Sequence, residues 1–207
     1  MNSIERMASE SQTVQQFAKN YLSYLATLLQ NIDTDAVAAF VEELEVARKH
    51  RNTIFLIGNG GSAATASHMA NDFGIGVHKN EGKEPFRVLA LTDNVATMTA
   101  LANDYGYENL FVGQLRTYFR KGDKLVAISA SGNSPNVVAA AKWVKKRDGR
   151  VIGLVGFDGG KLKEICDTLI LIQAQIGEYG PVEDVCIVLS HLIQSWVLAM
   201  VAKEKNR

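Results

Sequence analysis

Ile54-Phe-Leu-Ile-Gly58-Asn-Gly-Gly-Ser62-Ala-Ala-Thr-Ala-Ser-His68-Met-Ala-Asn-Asp72-Phe73 is the stretch that decides the fold. It opens with an apolar run of strand length, Ile54 to Ile57. It then passes through Gly58-Asn59-Gly60-Gly61-Ser62 and enters an Ala-rich segment free of Gly and Pro until Gly74. That pattern predicts strand, glycine turn, helix. The glycines permit a sharp turn and close approach of a ligand. Ser62 suits an N-cap, and the open N–H groups of the first helical turn behind it favour an anion. His68 and Asp72 stand at i, i+4 and share one helix face. Taken alone, the segment also fits an ordinary capped turn followed by a solvated His/Asp pair.

Outward from this unit, strands and helices alternate. Strands are expected at 53–57, 87–91, 124–129, 151–155 and 168–172, and helices at 62–74, 95–102, 107–120, 135–147, 161–166 and 181–203. The strands are nearly continuous apolar runs, such as Leu125-Val126-Ala127-Ile128. Both sheet faces should therefore be covered, which predicts an α/β fold: a parallel five-stranded sheet flanked by helices in three layers. Such folds bind ligands beyond the carboxyl ends of their strands. Upstream, Val14, Phe17, Tyr21, Leu25 and Leu28, then Val37, Phe40, Val41 and Leu44, give two helical stripes separated by Asn31-Ile32-Asp33-Thr34. We expect residues 1–50 to hold an N-terminal helical hairpin for oligomerisation, and 51–207 the α/β domain that carries the ligand site. A hairpin placed ahead of the first strand cannot bury both faces on one sheet, so a second subunit is its natural outlet. Val77 to Pro85 reads as a polar loop.

The totals restrict the function. The chain has 207 residues, 47% of them hydrophobic, and a formal net charge of zero. No basic field recommends nucleic acid or an anionic membrane as a partner. Two cysteines, Cys166 and Cys186, form no disulfide framework and suit a reducing cytoplasm. The polar start has no signal-peptide core, and no run approaches 18 uninterrupted apolar residues, so no membrane span is expected.

A second informative loop follows the strand at 124–129 and reads Ser129-Ala130-Ser131-Gly132-Asn133-Ser134-Pro135-Asn136. Its hydroxyls and backbone N–H groups would satisfy phosphate oxygens without Lys or Arg, and Pro135 suits the first position of a helix. Two such turns at the ends of two strands favour a phosphate or phosphosugar site. The sequence has no G-x-x-x-x-G-K-[ST] loop, and its first turn is not G-x-G-x-x-G, so nucleotide and dinucleotide sites are disfavoured.

These residues resemble a known family. Gly58 to Ser62, Ala90-Leu91-Thr92-Asp93, Ala102-Asn103-Asp104-Tyr105-Gly106, Ser129 to Asn136 and Gly156-Phe157-Asp158-Gly159-Gly160-Lys161-Leu162 look like the SIS (sugar isomerase) domain. More closely they resemble its phosphoheptose isomerase branch, which acts on sedoheptulose 7-phosphate. The resemblance covers nearly the whole chain. It implies a flavodoxin-like fold and a homotetramer with active sites at subunit interfaces. It also implies a phosphate held by Ser62, Ser129, Ser131 and Ser134, with Asn59, Gly60, Gly61, Asp93, Asn94 and Glu183 near the substrate. Ala130 stands where the family usually has Thr.

The implied chemistry is aldose–ketose isomerisation through a cis-enediol, with Asp72 and His191 in the catalytic positions. The resemblance further implies Zn²⁺, with His68, Asp72, Glu183 and His191 as its ligands. Two residues depart from the family: Asp72 replaces a Glu, and Glu183 replaces a Gln. Glu183 and His191 lie eight residues apart, roughly two turns, and so share a face. Gly177 to Val182 is unlike the usual lead-in to the last helix, and Glu178 or Tyr179 could supply a replacement group. The competing expectation is a non-catalytic relative that binds a protein such as the replication initiator DnaA. The four polar positions at 68, 72, 183 and 191 favour catalysis.

Overall fold

The computed structural model describes residues 1–79 and 84–205. Three helices come first: α1 (Ser3–Glu10), α2 (Val14–Gln30) and α3 (Thr34–Lys49). Then follow β1 (Thr53–Ile57), α4 (Gly61–Gly74), β2 (Arg87–Ala90), α5 (Val95–Tyr105), α6 (Leu110–Tyr118), β3 (Lys124–Ser129) and α7 (Pro135–Lys145). The chain ends with β4 (Arg150–Gly156), α8 (Leu162–Ile165), β5 (Thr168–Ile172) and α9 (Tyr179–Lys205). The five strands form one parallel sheet in the order β2-β1-β3-β4-β5.

Side chains alternate across that sheet with the two-residue period of a strand. Ile54, Leu56, Val126, Ile128, Ile152, Leu154, Ile170 and Ile172 face one layer, which contains Phe40 and Leu44 of α3, Met69 and Phe73 of α4, and Leu189 and Ile193 of α9. Phe55, Ile57, Leu125, Ala127, Val151 and Val155 face the other, formed by Phe111 and Leu115 of α6 and by Val137, Ala141 and Val144 of α7. Both faces are dry. That is why the strands read as continuous apolar runs rather than alternating ones.

Strand order reverses at β1, which lies between β2 and β3 while the chain proceeds from β1 to β2 and then crosses to β3. This is the flavodoxin-like order, and its switch point opens a crevice between the carboxyl ends of β1 and β3. The two small-residue loops, 58–62 and 129–136, leave those two ends.

Several boundaries differ from expectation. The helix expected over 107–120 splits: Tyr107–Asn109 winds as a 3₁₀ turn before α6. The last helix starts two residues earlier than expected, because Pro181 is tolerated within a first turn. Helix α1 was not expected. Its signal is Asn2 and Glu5 at capping-box spacing: Asn2 accepts from the Glu5 N–H at 2.9 Å, and Glu5 accepts from the Asn2 N–H at 3.0 Å. Of the polar loop expected over 77–85, Gly76–Lys79 forms a 3₁₀ turn, and 80–83 lie outside the described residues.

The hairpin shares the main core. Leu28, Phe40, Val41, Leu44 and Ala47 are buried in the layer that covers the sheet, whereas Val14 and Leu22 of α2 are exposed. Helix α9 has the length and apolar content of a membrane span. In this fold Val182, Val185, Leu189, Ile193, Val197 and Val201 along it are buried in that layer.

Candidate active site

The first loop is shaped by its glycines. Gly60, the residue before α4, has φ +55°, a conformation that costs a side chain dearly. The first α4 amides to find carbonyl partners are those of Ala63 and Ala64, which bond to Asn59 and Gly60. The two preceding N–H groups are thus left at the open helix end. Ser62 behind them is buried, and its hydroxyl has no hydrogen-bond partner among the described residues.

The second loop is braced from within and from outside. Ser129 Oγ lies 3.3 Å from Ser134 Oγ and accepts the Gly132 N–H at 3.2 Å. Ser131 Oγ accepts the Asn133 N–H at 3.2 Å. The turn after β4 presses against this loop. Leu162 N–H donates to Gly132 O at 3.1 Å, and Lys161 N–H donates to Asn133 Oδ1 at 3.1 Å. Gly132 has φ +63°, and a Cβ there would stand 2.0 Å from Gly159 O, so no other residue fits. Ala130 is buried, and no hydroxyl occupies its position.

A reciprocal amide pair ties the loops together. Asn59 Nδ2 donates to Asn136 Oδ1 at 2.9 Å, and Asn136 Nδ2 donates to Asn59 Oδ1 at 2.8 Å. Tyr107 OH also donates to Asn59 Oδ1, at 2.9 Å. Asn59 therefore fixes the spacing of the two loops. Tyr107 could not be found from spacing, because it comes from a 3₁₀ turn distant in sequence. Asp93 and Asn94 lie near α4 and α5: Ser67 Oγ donates to Asp93, and Asn94 caps α5 by accepting the Thr97 N–H at 3.0 Å.

Farther along α4, His68 and Asp72 meet α9. His68 Nε2 lies 2.8 Å from His191 Nε2 and 3.2 Å from Asp72 Oδ2, and His191 Nε2 is 3.9 Å from the same oxygen. The rings pack edge to face. Two ring nitrogens in hydrogen-bond contact need one donor and one acceptor, so the neutral pair shares one Nε2 proton. The Asp72 side chain is 8% exposed, against 40% for His68 and 55% for His191. The carboxylate thus forms the floor and the imidazoles the open rim. Buried Ser190 donates to Asp72 Oδ2 at 3.1 Å and holds it toward the rings. The sequence did not single out Ser190, because an unremarkable serine on an apolar helix carries no signal of its own.

His68, Asp72 and His191 offer donor atoms that all lie within 4.8 Å of one another, an arrangement that can hold a metal ion. Two imidazole nitrogens and one carboxylate oxygen suit a divalent transition ion with an open position. Glu183, the fourth implied ligand, is not in that group. Its carboxylate lies against Gly61, where a Cβ would come within 2.2 Å of it. Glu178 is committed elsewhere. It is buried and accepts from the Ser3 N–H at 2.6 Å, the Gln175 N–H at 2.9 Å and the Tyr24 hydroxyl, so it anchors α1 and α2 rather than supplying a group to the site. Tyr179 stacks edge to face on Phe157. Burial pushes the Cys186 thiol up to about 12, with the Glu183 charge adding to the effect, so it stays a protonated core residue.

A switch-point crevice with two hydroxyl-rich loops and an acid–imidazole cluster defines an SIS-type fold. The SIS domain family matches residues 16–156, and the chain belongs to it. Within that family its relatives are phosphoheptose isomerases. The enzyme of Nitratiruptor sp. is 38% identical over 73% of this chain and 79% of its own length, and that of Aliarcobacter butzleri 36% identical over 84% and 92%. The solved phosphoheptose isomerase from Neisseria gonorrhoeae superposes with a TM-score of 0.79 at 31% identity, covering 89% of this chain and 98% of its own. The chain is therefore a member of the phosphoheptose isomerase family, an aldose–ketose isomerase by class.

Proposed function

We propose that the protein interconverts sedoheptulose 7-phosphate and the corresponding aldoheptose 7-phosphate. The observation that carries this reading is the placement of two different sites along one helix. Gly61 and His68 are seven residues apart, roughly 10 Å along the α4 axis. A phosphate at the α4 amino end and the serine loop therefore leaves a long carbon chain to reach the acid–imidazole cluster. A three-carbon substrate would fall short.

In this reading Ser62, Ser129, Ser131 and Ser134 bind the phosphate, and Asp93 and Asn94 flank the sugar. Asp72 and His191 move the protons. One takes the C1 proton alpha to the C2 carbonyl and returns it to C2. The other carries the hydroxyl proton between O1 and O2, so the enediol closes to the aldose with no net gain or loss. General acid–base catalysis of this kind contributes about 10²- to 10⁴-fold. His68, Asp72 and His191 fit a metal, and Zn²⁺ bound there would polarise the carbonyl. A metal held by all three would engage both Asp72 and His191 as ligands, so the proton transfers assigned to them here belong to the metal-free site. We assign the protein to the cytoplasm and to a homotetramer. Support for assembly comes from an apolar groove of about 1000 Å³ between α3 and α9, with Leu192 and Trp196 about half exposed along it.

The decisive experiment is conversion of sedoheptulose 7-phosphate by the purified chain as isolated, after chelation and after Zn²⁺ addition. Turnover that vanishes in Asp72→Asn and His191→Ala is expected. A folded protein without turnover in any arm would sink the assigned reaction.

A further inference from the structure

The Glu183 carboxylate occupies an unusual place. It lies against Gly61, the first residue of α4, within 2.2 Å of where a Cβ would stand. The carboxylate thus lies beside the first turn of α4, against Gly61, without bonding to any of its amides among the described residues. Among the described residues it makes no hydrogen bond and no ion pair. An unpaired, half-buried anion is stabilised at a helix amino terminus by the partial positive charge there. Beside it, the hydroxyl of Ser62 is also unpartnered, and Ser62 is only 6% exposed. A phosphate bound at this turn by the open amides and the Ser62 hydroxyl would come close to Glu183, and it would carry the same sign of charge. The nearby loops, Gly58 to Ser62 and Ser129 to Asn136, contain no Lys or Arg to offset two anions.

We propose that Glu183 is a resident anion that competes with the substrate phosphate for the amino end of α4, and so sets how tightly the site holds a phosphate. This deepens the isomerase reading and rests on its phosphate cradle. The carboxylate stabilises the open helix end when the site is empty. It must swing from Gly61 when a phosphate arrives. Because Glu183 stands in the second turn of α9, eight residues before His191, phosphate entry shifts a side chain on the helix that carries the catalytic imidazole. Occupation of the cradle is thus felt at the start of α9.

The test is calorimetric titration of the full-length protein with inorganic phosphate, in parallel for the native chain, Glu183→Gln and Ser129→Ala, with melting temperature as the check on folding. Glu183→Gln keeps the shape and removes the charge. It should bind phosphate about tenfold tighter, a modest fraction of the Coulomb term for two charges near contact at a protein surface. Ser129→Ala should bind more weakly than the native chain. Glu183→Ala, which removes the carboxylate and the contact with Gly61, should also bind more tightly. Phosphate that binds the native chain and Glu183→Gln equally, or binds the variant more weakly, would overturn the competition while leaving the cradle intact. Phosphate that binds neither would remove the cradle itself, and with it both this proposal and the substrate reading.

Discussion

The serine-rich loops proposed as a phosphate cradle and the acid–imidazole cluster lie at different points along α4 and are made in opposite ways. The cradle is backbone and short side chains, held by contacts such as the Asn59–Asn136 amide pair and the brace from Lys161 and Leu162. It owes its form to loops at the carboxyl ends of β1 and β3. The cluster is three long side chains from two helices, His68 and Asp72 on α4 and His191 on α9. It exists only because α9 packs along α4, with buried Ser190 bracing the Asp72 carboxylate. On the proposed reading, the loops should tolerate the loss of a single hydroxyl, whereas the cluster should not tolerate the loss of a single group, each serving as its own proton carrier or donor atom.

That difference is testable in order of size. Asp72→Asn keeps the shape but removes a carboxylate proposed to move a proton, and kcat should fall by about 100-fold or more with little change in KM, measured by sugar phosphate conversion. Asn136→Ala breaks the tie that sets the loop spacing. It should raise KM roughly tenfold with a smaller loss in kcat, because a displaced phosphate moves the whole substrate. Loops that tolerate this change without loss of affinity would show that they hold their spacing without the Asn59–Asn136 pair. Ser134→Ala should raise KM about tenfold at unchanged kcat, the loss of one hydrogen bond to an anionic phosphate of about 1.5 kcal/mol.

Glu178→Gln probes neither site and should leave KM alone. It removes an anion that three donors share, so the melting temperature should fall by about 2–6 °C in a chain of this size, as thermal denaturation reads directly. The smallest effect belongs to the cysteines. Burial pushes Cys166 and Cys186 both up to about 12, so at pH 8 the thiols are protonated and slow to react. Alkylation of the native chain should leave activity intact, whereas unfolding in guanidinium should expose both thiols. Rapid modification of Cys186 in the native state would mean that α9 opens near Glu183.

The legibility of the two sites follows the same divide. Gly58 to Ser62 and Ser129 to Asn136 announced themselves as short-range patterns, and the continuous apolar strands announced a sheet covered on both faces. The pairing of His68 and Asp72 is legible from their i, i+4 spacing; His191, 123 positions from His68, joins them only through the family resemblance and the fold. Ser190, Tyr107 and the pairing of Asn136 with Asn59 entered only with the structure. So did the division of labour between Glu183, which rests against Gly61, and the cluster it had been expected to join.

What the chain determined by itself is therefore local and periodic: which segments are strands, where the chain turns, and where small polar residues meet a helix start. Those features arise from backbone sterics and burial within about 20 residues, which any stretch of sequence carries. What only the tertiary structure decided is which of these ends face one another. The parallel order β2-β1-β3 opens the crevice at the switch point, and α9, far downstream, brings His191 within 2.8 Å of His68. Neither contact is encoded in any short segment, since each depends on helices folding back across the sheet, and the free energy that holds them there is the packing of the buried faces in between.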